Sequence, residues 1–140
     1  MTGIWKNWIT VWAWGVVAFG ALLMTGAFPG VDGFVRNVLV LFGNLPDGGT
    51  ILDERAMRFS VGLMGAVTMG WGLTIAFLLP AISAAGSSGW RALTLALTIW
   101  YVVDGLISVM TGFTANAVSN TALAIAYIIP VLGSGVLRTS

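Results

Sequence analysis

Four stretches of apolar residues, each close to the length needed to cross a bilayer, govern what this chain can fold into. They cover residues 8–28, 55–79, 90–110 and 117–137. A hydrocarbon layer of roughly 30 Å needs about 20 helical residues. A segment inside it must satisfy its own backbone hydrogen bonds, so each stretch is read as a helix. The chain is 58% hydrophobic and only 8% charged, against about 25% charged in soluble domains. Six basic and five acidic side chains cannot clothe a surface that faces water on all sides. The expected fold is therefore all-α: a four-helix transmembrane bundle, forming one integral membrane domain over residues 1–140. An even number of crossings puts both termini on one side.

The punctuation between the spans sets their arrangement. Pro29-Gly30 ends the first span, Pro80 is expected to end the second, and Pro130 should kink the fourth. The linkers 81–89 and 111–116 are short, which makes the last three spans antiparallel neighbours. The first linker is longer. Within it, Phe34, Val35, Val38, Leu41 and Phe42 recur at helical spacing, with Asp32, Arg36 and Asn37 on the other side. That pattern predicts a short interfacial helix over 32–43. Asn44 to Gly49 reads as a turn, and Thr50-x-x-Asp53 as a capping box for the second span. The first segment carries only Lys6 before its apolar run, and it reads as a retained helix more than as a cleaved leader.

Several kinds of chemistry are closed to this chain. It has no Cys and no His, which removes disulfides, thiolate chemistry, ordinary zinc sites and His-ligated haem. The expectation is no cofactor of its own, and at most contact with a lipid, quinone or pigment of a partner. A net charge of +1 gives no electrostatic footprint for nucleic acid. Trp5, Trp8 and Trp90 are read as interfacial anchors. Trp12, Trp14, Trp71 and Trp100 lie deeper, to pack in the core, against lipid, or against a pigment, quinone or partner helix. Met57, Met64 and Met69 read as packing residues. Gly62, Gly65, Gly70 and Gly72 lie in a span, where close helix contact explains them better than phosphate binding.

One acid stands inside a span, at Asp104 in the run WYVVDGLIS. An unpaired Asp or Arg there costs about 2.5–3.5 kcal/mol, so a partner is expected. Arg58 lies near the start of the second span, at a depth similar to that of Asp104. It begins a stripe of small residues that should face inward. Tyr101, Asp104 and Ser108 share a line on the third span, and Asn116 and Asn120 share one on the fourth. The expectation is a polar cluster of Arg58, Asp104, Ser108, Asn116, Asn120 and Tyr101. Two readings stay open: a staple that fixes helix register, or a pocket for a small polar group or lipid headgroup. A proton relay would need a second buried acid or a His, and the spans supply neither.

The run Asp53-x4-Arg58-Phe59-x2-Gly62-Leu63-x-Gly65-Ala66 resembles the second-helix entry of DoxX-like and related small bacterial four-helix membrane proteins. The order of elements is similar too. The resemblance implies a bacterial inner-membrane protein and an association with quinone-linked oxidation or membrane redox complexes, without assigning any catalytic residue. Two function classes follow. One is a non-catalytic accessory or assembly subunit of a larger respiratory or photosynthetic complex, in contact with lipids and other integral membrane subunits. The other is a small transporter or lipid- or quinone-binding protein built on Arg58 and Asp104. Basic residues are split evenly between the two sides; the acids in the long linker favour cytoplasmic termini.

Overall fold

The computed structural model describes residue 1, residues 3–45 and residues 47–138; Thr2, Pro46, Thr139 and Ser140 lie outside the described residues. Five α-helices follow in order: α1 (Gly3–Met24), α2 (Gly33–Gly43), α3 (Arg55–Ala84), α4 (Gly86–Met110) and α5 (Thr114–Gly133). Single 3-10 turns at Thr25–Ala27 and Thr50–Asp53 complete the order. Four helices are long and apolar enough to cross a membrane, and α2 is a shorter apolar helix. The all-α, four-span class read from the sequence is the one observed, and the chain is a membrane protein in contact with lipid.

The helix ends correct several boundaries. Pro80 does not stop the second span, because α3 carries it in its interior and continues to Ala84. Proline removes one backbone donor, yet helices in lipid tolerate it when the freed carbonyl is satisfied nearby. The helix stops where Gly86 takes φ +65°, a conformation that side chains with a Cβ avoid. The expected linker 81–89 thus shrinks to Ala85. Residues 111–113 join α4 to α5, with Gly112 at φ +83°. α5 runs through Pro130 and ends at Gly133, short of the expected 137. Pro46, in the expected Asn44–Gly49 turn, lies outside the described residues. On its near side Asn44 adopts the left-handed conformation and caps α2 with its N–H on the Val40 carbonyl.

The chain divides into two compact units. One is Trp14–Thr74, where α1 and α3 cross at glycines. A Cβ added to Gly65 would meet the Met24 nitrogen, and would sit 2.8 Å from the Gly20 carbonyl oxygen. One added to Gly62 would come within 2.7 Å of the Ala27 Cβ. Small residues let backbones approach this closely, which is what holds helices together where the solvent is itself apolar. Val35, Leu52 and Val61 form a buried core beside this crossing, with Leu39 and Met57 packed on it. The apolar face of α2 is therefore turned partly onto protein.

The other unit is Met1–Ala13 with Ile75–Ser140. Here α4 and α5 form an antiparallel hairpin: Thr94 pairs with Tyr127 and Tyr101 with Thr121 through their hydroxyls. The start of α1 lies against α5. Trp8 Nε1 donates to the Ala126 carbonyl at 2.9 Å and Trp12 Nε1 to the Leu123 carbonyl at 3.0 Å. Trp5 packs its ring on Gly133. Of the three expected interfacial anchors, Trp90 is buried within the protein, at 1% exposed. A one-residue turn brings α3 and α4 so close at this end that a Cβ on Gly89 would lie 2.6 Å from the Ile82 carbonyl oxygen. Trp8 is exposed, but its N–H is spent on α5 and not on a headgroup.

Gly65→Ala should lower stability by roughly 1–3 kcal/mol through overpacking. Gly70→Ala, where a Cβ meets nothing within 4 Å, should change it by less than about 0.5 kcal/mol. Unfolding in mixed detergent micelles reads the difference. Equal stability of the two variants would show that the glycine crossing is not a tight contact.

Candidate functional site

Arg58 and Asp104, expected as an ion pair, each bond within their own unit, in two separate clusters. Arg58 Nη1 donates to Asp32 Oδ2 at 2.8 Å and to the Gly26 carbonyl at 3.2 Å, and Nη2 lies 3.4 Å from Asp53 Oδ1. Arg36 completes the cluster through Asp32, Asp53 and the Gly49 carbonyl. The physical reason is local. The linker folds back over the start of α3, and Asp32 precedes Arg36 by one helical turn, a spacing at which opposite charges attract. Asp32 is 7% exposed, a burial that two guanidinium groups make tolerable.

This cluster also displaces the expected capping box. Thr50–Asp53 is a 3-10 turn. The Thr50 hydroxyl donates to Asp47, and Asp53 accepts from the two arginines. The Arg58 guanidinium first, and Arg36 after it, hold the Asp32 carboxyl below its ordinary value of 3.8, while burial pushes the other way. Asp53 and Asp32 raise Arg36 above its usual value. The Thr50 hydroxyl and the Gly49 N–H lower Asp47. Among the described residues no group of acids, His or Cys is placed to hold a metal ion.

Asp104 finds neutral partners instead. Ser108 Oγ, one turn along α4, lies 3.2 Å from Asp104 Oδ1 and also bonds the Asp104 carbonyl. From α5, Asn116 Nδ2 donates to the same Oδ1 at 3.0 Å and to Ser108 Oγ at 2.8 Å. Asn120 Nδ2, one turn further, donates to Oδ1 as well. Hydrogen bonds to an ionised group contribute about 1.5–3 kcal/mol each, so these donors offset an insertion cost of about 2.5–3.5 kcal/mol without any cation. The structure thus brings together Asp104, Ser108, Asn116 and Asn120 from the predicted set. Tyr101 stands one turn away, on Thr121, and Arg58 belongs to the linker cluster.

Beside this group lies a cleft of about 270 Å³ among α1, α4 and α5, lined by Trp12, Trp100, Tyr101 and Tyr127 together with Thr94 and Thr121. Trp12 and Tyr127 pack ring against ring, with centroids 5.3 Å apart. Sequence reading found the polar stripes but not the cleft, because Trp12 comes from a distant helix with no local signal linking it to Tyr127. The Asp32–Arg36 spacing, by contrast, was a local signal available for the linker cluster. Comparison of the chain with protein-family models, curated proteins and solved structures finds no match.

Acid should loosen the linker cluster. Because the folded Asp32 value lies below 3.8, the stabilisation is complete above that pH. It is lost as pH falls through the lowered folded value. Hydrogen exchange of the α2 amides should stay slow at neutral pH and accelerate on acidification below that point. Arg58→Gln should move the onset upward in pH; an unchanged onset would mean that Arg58 does not hold Asp32.

Proposed function

We propose that this membrane protein is a non-catalytic accessory subunit of a larger bacterial membrane complex, respiratory or photosynthetic, seated in the inner membrane with cytoplasmic termini. The observation that carries the reading is the bareness of α4. Only 11% of its most apolar stretch is buried, against 39% for α1. Leu95, Ile99, Val102, Leu106 and Ile107 are all at least half exposed. Such a face suits packing against other membrane helices as well as lipid. The lack of His and Cys fits a supporting role in a redox complex better than an electron-carrying one. Kinship with DoxX-like proteins belongs to the same proposal and rests on the run from Asp53 to Ala66.

The aromatic cleft favours a second reading, a carrier or binding protein for a lipid-soluble molecule such as a lipid or quinone. Its site would be the cleft and the Asp104 group, without Arg58. Purification in a gentle detergent separates the two. An accessory subunit should come with a stoichiometric integral membrane complex, and Asp104→Asn should lower its abundance in the membrane. Recovery as a stable free monomer with no partner overturns the accessory reading.

A further inference from the structure

The two oxygens of Asp104 are treated differently. Ser108, Asn116 and Asn120 all converge on Oδ1. Among the described residues no hydrogen bond or ion pair reaches Oδ2, and Asp104 is only partly buried. A carboxylate at this depth with one bare oxygen still asks for a donor or a positive charge.

At the neighbouring end of the cleft the hydroxyls have spent their hydrogens. Thr121 gives its hydrogen to the Ala117 carbonyl. Tyr101 must therefore donate in the Tyr101–Thr121 pair, and its oxygen is left able only to accept. Thr98 spends its hydrogen on the Thr94 carbonyl. A single hydroxyl hydrogen remains free, in the Thr94–Tyr127 pair, about two turns away along α4. Trp12 and Tyr127 face each other, and the ring of Tyr101, which also lines the cleft, has a negative face of the kind that attracts cations. Asp104 follows Tyr101 by one turn, about 4.5 Å along the helix axis.

This arrangement sorts ligands by chemistry. An anion meets a carboxylate and lone pairs. A quinone, which offers only acceptors, finds a single free hydroxyl hydrogen, at the far end. A hydrated metal ion needs several oxygens, and the groups around Oδ1 are already bonded to one another. We propose that the cleft, continued to Asp104, binds a lipophilic organic cation, with an ammonium or other onium head on the free Asp104 oxygen and the nearby Tyr101 ring, and an apolar body between α4 and α5. This rests on the binding-protein reading of the cleft and names its ligand class. The head could belong to a membrane lipid or to a free amphiphilic amine; the chemistry is shared.

The test is calorimetric titration of the purified protein in dodecyl maltoside with tetraphenylphosphonium, and with neutral triphenylphosphine oxide as its uncharged, acceptor-only counterpart. The wild-type chain should bind the cation at least about tenfold more tightly, a difference near 1.4 kcal/mol. Asp104→Asn should abolish that preference and Asp104→Glu should keep it, with helix content and melting followed in each. The cation–oxide comparison on the wild type stands even if a variant fails to fold. Competition by phosphatidylethanolamine assigns the site to a lipid head, and lack of competition assigns it to a free amine. Equal binding of cation and oxide overturns the cation proposal and leaves the cleft reading standing. If neither probe binds saturably, both fall. The accessory reading is judged separately, by purification.

Discussion

Hydrocarbon offers no partner to a polar group, and the fold of this protein is organised around that fact. Among the described residues, no buried side-chain nitrogen or oxygen lacks a hydrogen bond. Hydroxyls inside the spans turn back onto their own helices, as Ser60, Thr74 and Thr98 do onto carbonyls one turn earlier. Indole N–H groups of α1 reach carbonyls of α5. The acid on α4 draws amides from α5. The bonds that cross between helices also fix their register, because these groups have few alternatives in lipid.

The two units solve the helix-pairing problem by different means. Where α1 meets α3, glycines remove side chains and let backbones touch, so contact is steric and apolar. Where α4 meets α5, side-chain hydroxyls, amides and one carboxylate form a polar ladder. The first solution leaves no space. The second leaves a cleft, because pairs of hydroxyls hold the helices while large rings stand at the edges. Space for another molecule therefore lies beside the ladder and not at the glycine crossing.

Charge is handled in the same divided way. Arg36 and Arg58 are engaged by Asp32 and Asp53, and this ties α2 to the start of α3. Asp104 is left with neutral donors. A carboxylate held by amides at one oxygen leaves the other without a protein partner among the described residues, whereas Asp32 shares its oxygen between two guanidinium groups.

Composition and spacing alone determined the solvent of this protein, the number of its spans, the α2 segment, the closure of thiol and imidazole chemistry, and the need of Asp104 for polar company. Those properties are written in one dimension: counts, run lengths and i,i+4 repeats survive any rotation of the helices. The partner of Arg58, the burial of Trp90, the fate of Pro80 and the existence of the cleft were decided only in three dimensions. Each depends on which faces meet. One residue more or less in a turn rotates the next helix by about 100°, so a linker of one residue where nine were expected changes which face of α4 meets α3. Arg58 could be matched with Asp104 in depth from the sequence; that the linker would bring Asp32 to it first was a property of the folded chain.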